Sequence, residues 1–358
     1  MKLVARRLYV RIPNWVGDVV MATPILQALR DGFPQAHITL GARPHLEAVL
    51  RGCNAFDELL PCPPKPGWGG IRALAAELKR REFDAAILFP NSFETALVAA
   101  LARIPRRFGY ALNGRSLLLT DRLRPPMQGF RRVPTPMPYY WSDLVGLAGV
   151  EVRSIRPRLA LDDATRASVA SWLAAKGLGP GERFALVAPG ASFGSSKLWR
   201  SDRFAQVIDG LASTAGVRTL IQFGPGEEPI ARAIADHCKS APVLADGPPL
   251  DLHRLKAAVE RCDLLICTDS GVRHYGVAFD RPVVCVMGPN DPRYTAANLD
   301  RTTVVREEVE CGPCQLKTCP LDHRCMEQLA ASRVLAAALA RLTAAEDPKG
   351  ELTFSPAR

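Results

Sequence analysis

Short apolar runs alternate with helix-length segments along this chain, and the whole alternation occurs twice. In the first half, strands are expected at Leu8–Ile12, His37–Leu40 and Ala85–Phe89. The spacing predicts helices over Val19–Arg30, Pro44–Leu50, Ile71–Arg81 and Phe93–Arg103. The rhythm restarts at Phe184–Ala188, with further strands at Arg218–Phe223, Pro242–Leu244, Leu264–Cys267 and Val283–Met287. Helices are expected between these at Asp202–Thr214, Pro229–Cys238, Leu250–Arg261 and Gly271–Phe279. Short strands alternating with helices call for a parallel sheet covered on both faces. The fold class is therefore α/β, with two doubly wound, Rossmann-like domains. Open sheets of this kind take ligands beyond the carboxyl ends of their strands, so an interdomain cleft is the expected site.

A length of 358 residues favours two domains over one. The expected division is 1–155 and 156–343, with a linker over Val150–Leu161 and a loose tail over 344–358. The stretch Gly109–Pro138 is rich in Arg, Pro and Gly, and reads as an irregular excursion, followed by a helix at Tyr139–Ala148. The formal net charge of +10 favours anionic partners without naming them. No RNA- or DNA-binding motif is present and aromatic residues make up only 7%, which argues against nucleic acid. The apolar part of the N-terminus, Leu8–Ile12, is too short for a secretory signal, and no run reaches the roughly 20 apolar residues of a membrane span. The expected location is cytoplasmic.

Five loops carry chemistry. The first, Asn14-Trp15-Val16-Gly17-Asp18, joins a strand to a helix. Asp18 reads either as a helix N-cap or as a carboxylate at the strand's C-terminal edge that takes a proton from an attacking hydroxyl. The second, Pro189 to Trp199, is a Gly/Ser-rich loop bearing Ser192, Ser196 and Lys197. Its small residues let backbone amides approach a phosphate, and Lys197 supplies a compact positive charge; the plain alternative is a surface loop with a solvated lysine. The third, Thr268-Asp269-Ser270-Gly271-Val272-Arg273-His274, opens a helix, so the amides of Ser270 and Gly271 are expected to face an anion. The fourth, Gly288-Pro289-Asn290-Asp291-Pro292, reads as a turn in which Asp291 holds backbone amides. In the fifth, Phe223 to Glu228, Glu227 is the candidate partner for a ribose hydroxyl.

Four of the ten cysteines, Cys311, Cys314, Cys319 and Cys325, lie within fifteen residues. That spacing suits a structural zinc held by four thiolates, with a redox-active or simply buried cluster as the competing readings. Four thiolates leave no open coordination position, so a catalytic metal is not expected there.

Taken in order, these loops resemble glycosyltransferase family 9, the lipopolysaccharide heptosyltransferases, over about residues 8 to 340. The resemblance rests on Trp15-Val16-Gly17-Asp18, on Gly190-Ala191 with Lys197-x-Trp199, on Asp269-Ser270-Gly271-x-x-His274 and on Gly288-Pro289-x-Asp291-Pro292. The cysteine-rich segment is similar to one in heptosyltransferase II-type members. The resemblance implies a GT-B fold and inverting transfer from ADP-L-glycero-D-manno-heptose to a lipopolysaccharide inner-core acceptor. It implies Asp18 as general base and Lys197 as stabiliser of the diphosphate leaving group. Asp269, Ser270, Gly271 and His274 would line the donor site, with Ser192, Ser196 and Glu227 as further donor-side candidates. No cofactor is required on this reading, and catalysis needs no metal. The implied partners are the nucleotide sugar, a lipid-linked phosphorylated glycan and, peripherally, the anionic inner face of the inner membrane.

Two departures stand out. Val272-Arg273 replaces the Pro-Met common in the family, and Arg200 stands where proline is frequent. The reaction class is therefore firmer than the sugar. The competing readings are the same fold with another nucleotide sugar or a capsule, O-chain or glycoprotein acceptor, and a noncatalytic nucleotide- or glycan-binding protein.

Overall fold

The computed structural model describes residues 3–63, 67–129, 131–247 and 250–346. The chain divides into two compact units, Met1–Ala160 with Arg293–Ala297, and Leu161–Pro292 with Asn298–Arg358.

The first unit runs β1 (Arg7–Arg11), α1 (Val16–Gly32), β2 (His37–Ala42), a short α2 (Glu47–Leu50), β3 (Glu58–Pro61), α3 (Gly67–Arg80), β4 (Ala85–Leu88), α4 (Phe93–Leu101), β5 (Arg106–Tyr110) and β6 (Asp121–Leu123). All six strands are parallel, in the order β3-β2-β1-β4-β5-β6, so the winding reverses between β1 and β4. A hairpin of β7 (Met127–Gln128) and β8 (Arg131–Arg132) follows, then α5 (Met137–Gly146). The expected excursion over 109–138 thus contributes a sheet strand. β6 is a three-residue edge strand, Asp-Arg-Leu, with no apolar run to betray it. Beside its backbone pairing to β5 it carries a bidentate ion pair: Arg106 on β5 donates from Nε and Nη2 to the Asp121 carboxylate, at 2.8 and 2.5 Å.

The second unit runs α6 (Asp163–Ala175), β9 (Phe184–Ala188), α7 (Ser201–Ala215), β10 (Arg218–Ile221), α8 (Glu228–His237), β11 (Val243–Leu244), α9 (Arg254–Arg261), β12 (Leu264–Thr268), α10 (Val272–Ala278), β13 (Val283–Val286), β14 (Thr302–Val305), α11 (Arg324–Glu327) and α12 (Ala331–Glu346). Its six strands are again parallel, ordered β11-β10-β9-β12-β13-β14, with the reversal between β9 and β12. β9 and β12 are buried along their whole length, which is why they read as unbroken apolar runs rather than alternating ones. On α7, Phe204, Val207, Ile208 and Leu211 recur at helical spacing and bury one stripe against the core shared with Ile266, Val284 and Val334. α6 follows the linker unanticipated; it starts where the Asp162 carboxylate caps the Thr165 amide at 2.8 Å. The tail expected from Ala344 is helical through Glu346, and residues 347–358 lie outside those described.

Candidate active site

In the second unit, the loop after β9 carries Lys197 and the loop after β12 carries Asp269, so the reversal of winding sets them side by side. The Lys197 ammonium donates to the Asp269 backbone carbonyl at 2.6 Å and to its Oδ2 at 2.9 Å. Both are buried, at 8% and 6% exposure, so each charge depends on the other. Asn290, from the loop after β13, donates its amide to the same Oδ2 at 2.6 Å. Arg273 on α10 approaches Oδ1 at 3.5 Å. Burial acts to raise the Asp269 pKa, but Lys197 and Arg273 outweigh it and hold the carboxyl below its usual range. The carboxylate therefore stays ionised and fixes the ammonium, whose third proton is not used on Asp269.

His274 is buried beside this pair, and burial first, then the charge of Arg273, pushes its pKa down to about 3. It is a neutral imidazole near pH 7, able to hydrogen-bond but not to neutralise a phosphate. The Ser270 amide, expected to face an anion, instead donates to the Thr268 carbonyl at 2.7 Å, because the chain turns back on itself before α10 begins. The Ser270 hydroxyl is buried with no hydrogen-bond partner among the described residues. Gly271 is the N-cap of α10, already in helical conformation.

Glu227 lies over the loop after β9: a Cβ added to Gly190 would sit 2.0 Å from its carboxyl carbon, so a larger residue there would displace the Glu227 carboxylate. Its Oε2 accepts from the Gly224 amide at 2.8 Å. Ser192 is exposed on the same loop. Ser196 is buried and turned away from Asp269, with its hydroxyl donating to the Leu316 carbonyl at 2.5 Å. Lys197, Asp269 and His274 are thus grouped and Glu227 covers the adjoining Gly190, whereas the Ser196 side chain belongs to a different contact. Asn290 escaped the sequence reading because its loop looks like an ordinary turn.

In the first unit, Asp18 is the third residue of α1, inside the first turn; the N-cap position belongs to Trp15, which makes no side-chain capping bond. The helix starts three residues earlier than the apolar spacing from Val19 suggests. Asp18 is partly buried, and the loop that leads into its helix is braced from below. Arg11, at the end of β1, donates to the Ile12 carbonyl at 2.6 Å, to Gly41 at 3.1 Å and to the Asn14 side chain at 2.6 Å. A second buried arginine, Arg115, was not singled out from sequence. It donates to the Tyr110 carbonyl and the Asn91 side chain, both at 2.9 Å, and to the Pro90 carbonyl, tying the loop after β4 to the end of β5. A cavity of about 830 Å³ in this unit is lined by residues such as Gln27, Asp31, Asn54 and Arg156 and includes none of the candidate residues.

The four clustered cysteines are free thiols; Cys311 is exposed and Cys325 buried. Burial, then the neighbouring Cys311, Cys314 and Cys319, pushes the Cys325 thiol above its ordinary pKa. Among the described residues, no group of three or more His, Cys, Asp or Glu side chains is arranged to hold a metal ion.

Residues 71–324 match the family model for glycosyltransferase family 9 (heptosyltransferase). The chain is similar to lipooligosaccharide heptosyltransferase 2 of Haemophilus influenzae, 26% identical over 306 residues that cover 82% of this chain and 86% of that one. Among solved structures, it is similar to a glycosyltransferase family 9 protein from Veillonella parvula, with a TM-score of 0.81, 23% identity and coverage of 96% and 99%. It is also similar to the ADP-heptose lipopolysaccharide heptosyltransferase II of E. coli, with a TM-score of 0.76, 23% identity and coverage of 95% and 99%. These neighbours share the arrangement of two parallel-sheet α/β units that defines the GT-B fold. The family match spans well over half of the sequence, and this chain belongs to glycosyltransferase family 9, the heptosyltransferases.

Proposed function

We propose that the chain is an inverting glycosyltransferase that moves a heptose from an ADP-activated donor to the inner core of a lipopolysaccharide, with Asp18 as general base. The observation that carries this reading is the Lys197–Asp269–Asn290 constellation at the winding reversal of the second sheet. A buried, oriented ammonium there suits the charge that develops on a departing diphosphate. The donor follows the ADP-heptose in the name of the E. coli neighbour, and a lipooligosaccharide or lipopolysaccharide is named for both it and the Haemophilus influenzae relative.

In the proposed step, an acceptor hydroxyl oxygen forms a bond to the anomeric carbon on the face opposite ADP. The bond from that carbon to the β-phosphate oxygen breaks, and its electron pair leaves with ADP. Asp18 takes the hydroxyl proton, and Lys197 offsets the negative charge growing on the diphosphate. On this reading a divalent cation is not required, and transfer persists in excess EDTA.

The basic excess supports an anionic acceptor. Residues 1–160 carry 23 Lys and Arg against 12 Asp and Glu, whereas residues 161–358 carry 23 against 24. The positive charge thus resides in the half assigned to the acceptor, which suits a phosphorylated glycan held at an anionic bilayer. Among the described residues, no helix is long and apolar enough to cross a membrane.

Asp18→Asn is the direct test. Turnover is expected to fall about 10²-fold or more with ADP affinity unchanged. Undiminished turnover removes Asp18 from the mechanism, and preference for a UDP- or GDP-sugar over ADP-heptose overturns the donor assignment.

A further inference from the structure

The cysteine-rich segment makes contacts that the expected zinc site does not account for. Ser196 is the middle residue of the single 3₁₀ turn Ser195–Lys197 that presents Lys197. All three of its polar groups are taken by this segment. Its amide donates to the Lys317 carbonyl at 3.1 Å, its hydroxyl donates to the Leu316 carbonyl at 2.5 Å, and its carbonyl accepts from His323 Nε2 at 2.7 Å. Because that acceptor is a carbonyl oxygen, the ring nitrogen facing it carries the proton. A few residues away, the Gln315 amide donates to the Pro289 carbonyl at 2.9 Å, immediately before Asn290.

Lys197 and Asn290 are the two side chains that donate to Asp269 Oδ2, and each directly follows a residue pinned by the stretch 315–323. The approach is close enough to restrict composition. A Cβ on Gly194 would lie 2.2 Å from the Lys317 carbonyl oxygen and 2.8 Å from its carbon, and neither backbone atom can swing aside. The stretch also stores strain at both ends of the contact. Gln315 and His323 adopt left-handed backbone at φ 55° and 57°, which non-glycine residues hold only when their surroundings over-determine them. The hydrogen bonds to Pro289 and Ser196 supply that determination.

We propose that the 315–323 stretch is a clamp that sets the distance and direction of Lys197 and Asn290 toward Asp269, with His323 as its principal positioning residue. His323 acts through Ser196 and touches no reacting atom. This assignment rests on the donor-side role given above to Lys197.

The test compares His323→Ala with His323→Gln in the full chain. A glutamine amide can replace the Nε2 donor, and Gln315 already holds the same left-handed backbone in this chain. For the alanine variant, kcat/KM for the nucleotide sugar is expected to fall about 10- to 100-fold, with the acceptor KM unchanged, as displacement of a charge-stabilising group by a fraction of an ångström to an ångström implies. The glutamine variant is expected to recover most of that loss. A merely structural role predicts something else: a Tm decrease shared by both variants, with donor and acceptor parameters disturbed together and no recovery.

Nucleotide-sugar kcat/KM within twofold of wild type in a folded His323→Ala protein overturns the clamp, as does equal loss in both variants. Should His323→Ala fail to fold, Ser196→Ala removes the bond to Leu316 at no cost in bulk, and unchanged donor kinetics there overturns it equally. A wild-type chain that transfers no sugar defeats the glycosyl-transfer reading instead. In that event, ADP affinity measured by calorimetry on the same variants decides the clamp, with weakening by His323→Ala and recovery by His323→Gln expected and equal affinities overturning it.

Discussion

Lys197 donates to Asp269 twice, to the backbone carbonyl at 2.6 Å and to the carboxylate at 2.9 Å, from a loop that lies 72 residues away in sequence. Two bonds to one residue fix the direction of the ammonium as well as its distance. A lysine on a flexible stem loses considerable rotamer freedom when held this way, of the order of 2 kcal/mol. The buried carboxylate offsets that loss, and the order it imposes is what a leaving-group stabiliser needs before the reaction begins.

Replacing Lys197 by methionine keeps the apolar stem and deletes the charge. We expect kcat/KM for the nucleotide sugar to fall about 10²- to 10³-fold, the range for loss of one preorganised electrostatic partner. Steady-state kinetics in both substrates checks this. The variant should also be less stable, because Asp269 remains buried with one partner fewer. A Lys197→Met protein with wild-type kinetics would remove the ammonium from catalysis.

The neighbouring imidazole gives stability a pH signature. His274 has a folded pKa of about 3, below the roughly 6.5 of an unfolded histidine, so the unfolded chain binds the extra proton between those values. Its neutral form supports the fold fully above about pH 6.5, and that support is lost progressively as pH falls toward 3. Asp269, with its pKa held below the carboxylate range, adds its own loss only at lower pH. Melting curves between pH 7 and 4.5 should show Tm falling in the wild type and a flatter dependence in His274→Gln. Parallel slopes for the two proteins would assign the titration elsewhere.

The legible parts of this molecule were those where one physical demand dominates. β9 and β12 must be apolar throughout because helices cover both faces of their sheet, and they stood out as runs. The loops that follow them were then located by position, and their small residues and charged side chains brought Lys197 and Asp269 forward. What stayed hidden depends on partners far along the chain. β6 is specified by its backbone pairing to β5 with Arg106 meeting Asp121, Ser196 by a carbonyl 120 residues on, and Asn290 by a carboxylate 21 residues back. Nothing in the local composition of Ser196 separates a phosphate ligand from a clamp point. The distinction lies in where its hydroxyl finds an acceptor.

Arg115 makes the same point with a larger energy attached. It is fully buried, and burial pulls its pKa down to about 10, so it stays charged near pH 7 at the cost of desolvation. Its bonds satisfy the Pro90 and Tyr110 carbonyls and the Asn91 side chain. Arg115→Leu leaves those acceptors unmatched, at about 1–3 kcal/mol for each that water does not reach. We expect a clear drop in the denaturation midpoint and a raised acceptor KM, with ADP affinity unchanged because the loops of the second sheet are untouched. Weakened ADP binding in a folded Arg115→Leu protein would contradict that separation.

The partition of charge predicts how the chain meets its acceptor. With the basic excess confined to residues 1–160, a fragment-independent test is available in the whole protein: co-sedimentation with vesicles of phosphatidylethanolamine alone or mixed with phosphatidylglycerol. Binding is expected only with the anionic lipid and should weaken as salt rises from 0.05 to 0.5 M, since the Debye length shrinks from roughly 14 to 4 Å. Reversing exposed charges on the hairpin and its approach, with Arg124→Glu and Arg131→Glu, should lower vesicle binding several-fold, because each basic residue near an anionic surface contributes about 1 kcal/mol. Neither residue belongs to the candidate catalytic set, so turnover on a water-soluble acceptor fragment should be retained. Salt-insensitive binding to neutral vesicles would instead point to apolar insertion. Equal sedimentation of wild type and the double variant would show that the positive charge serves the glycan and not the bilayer.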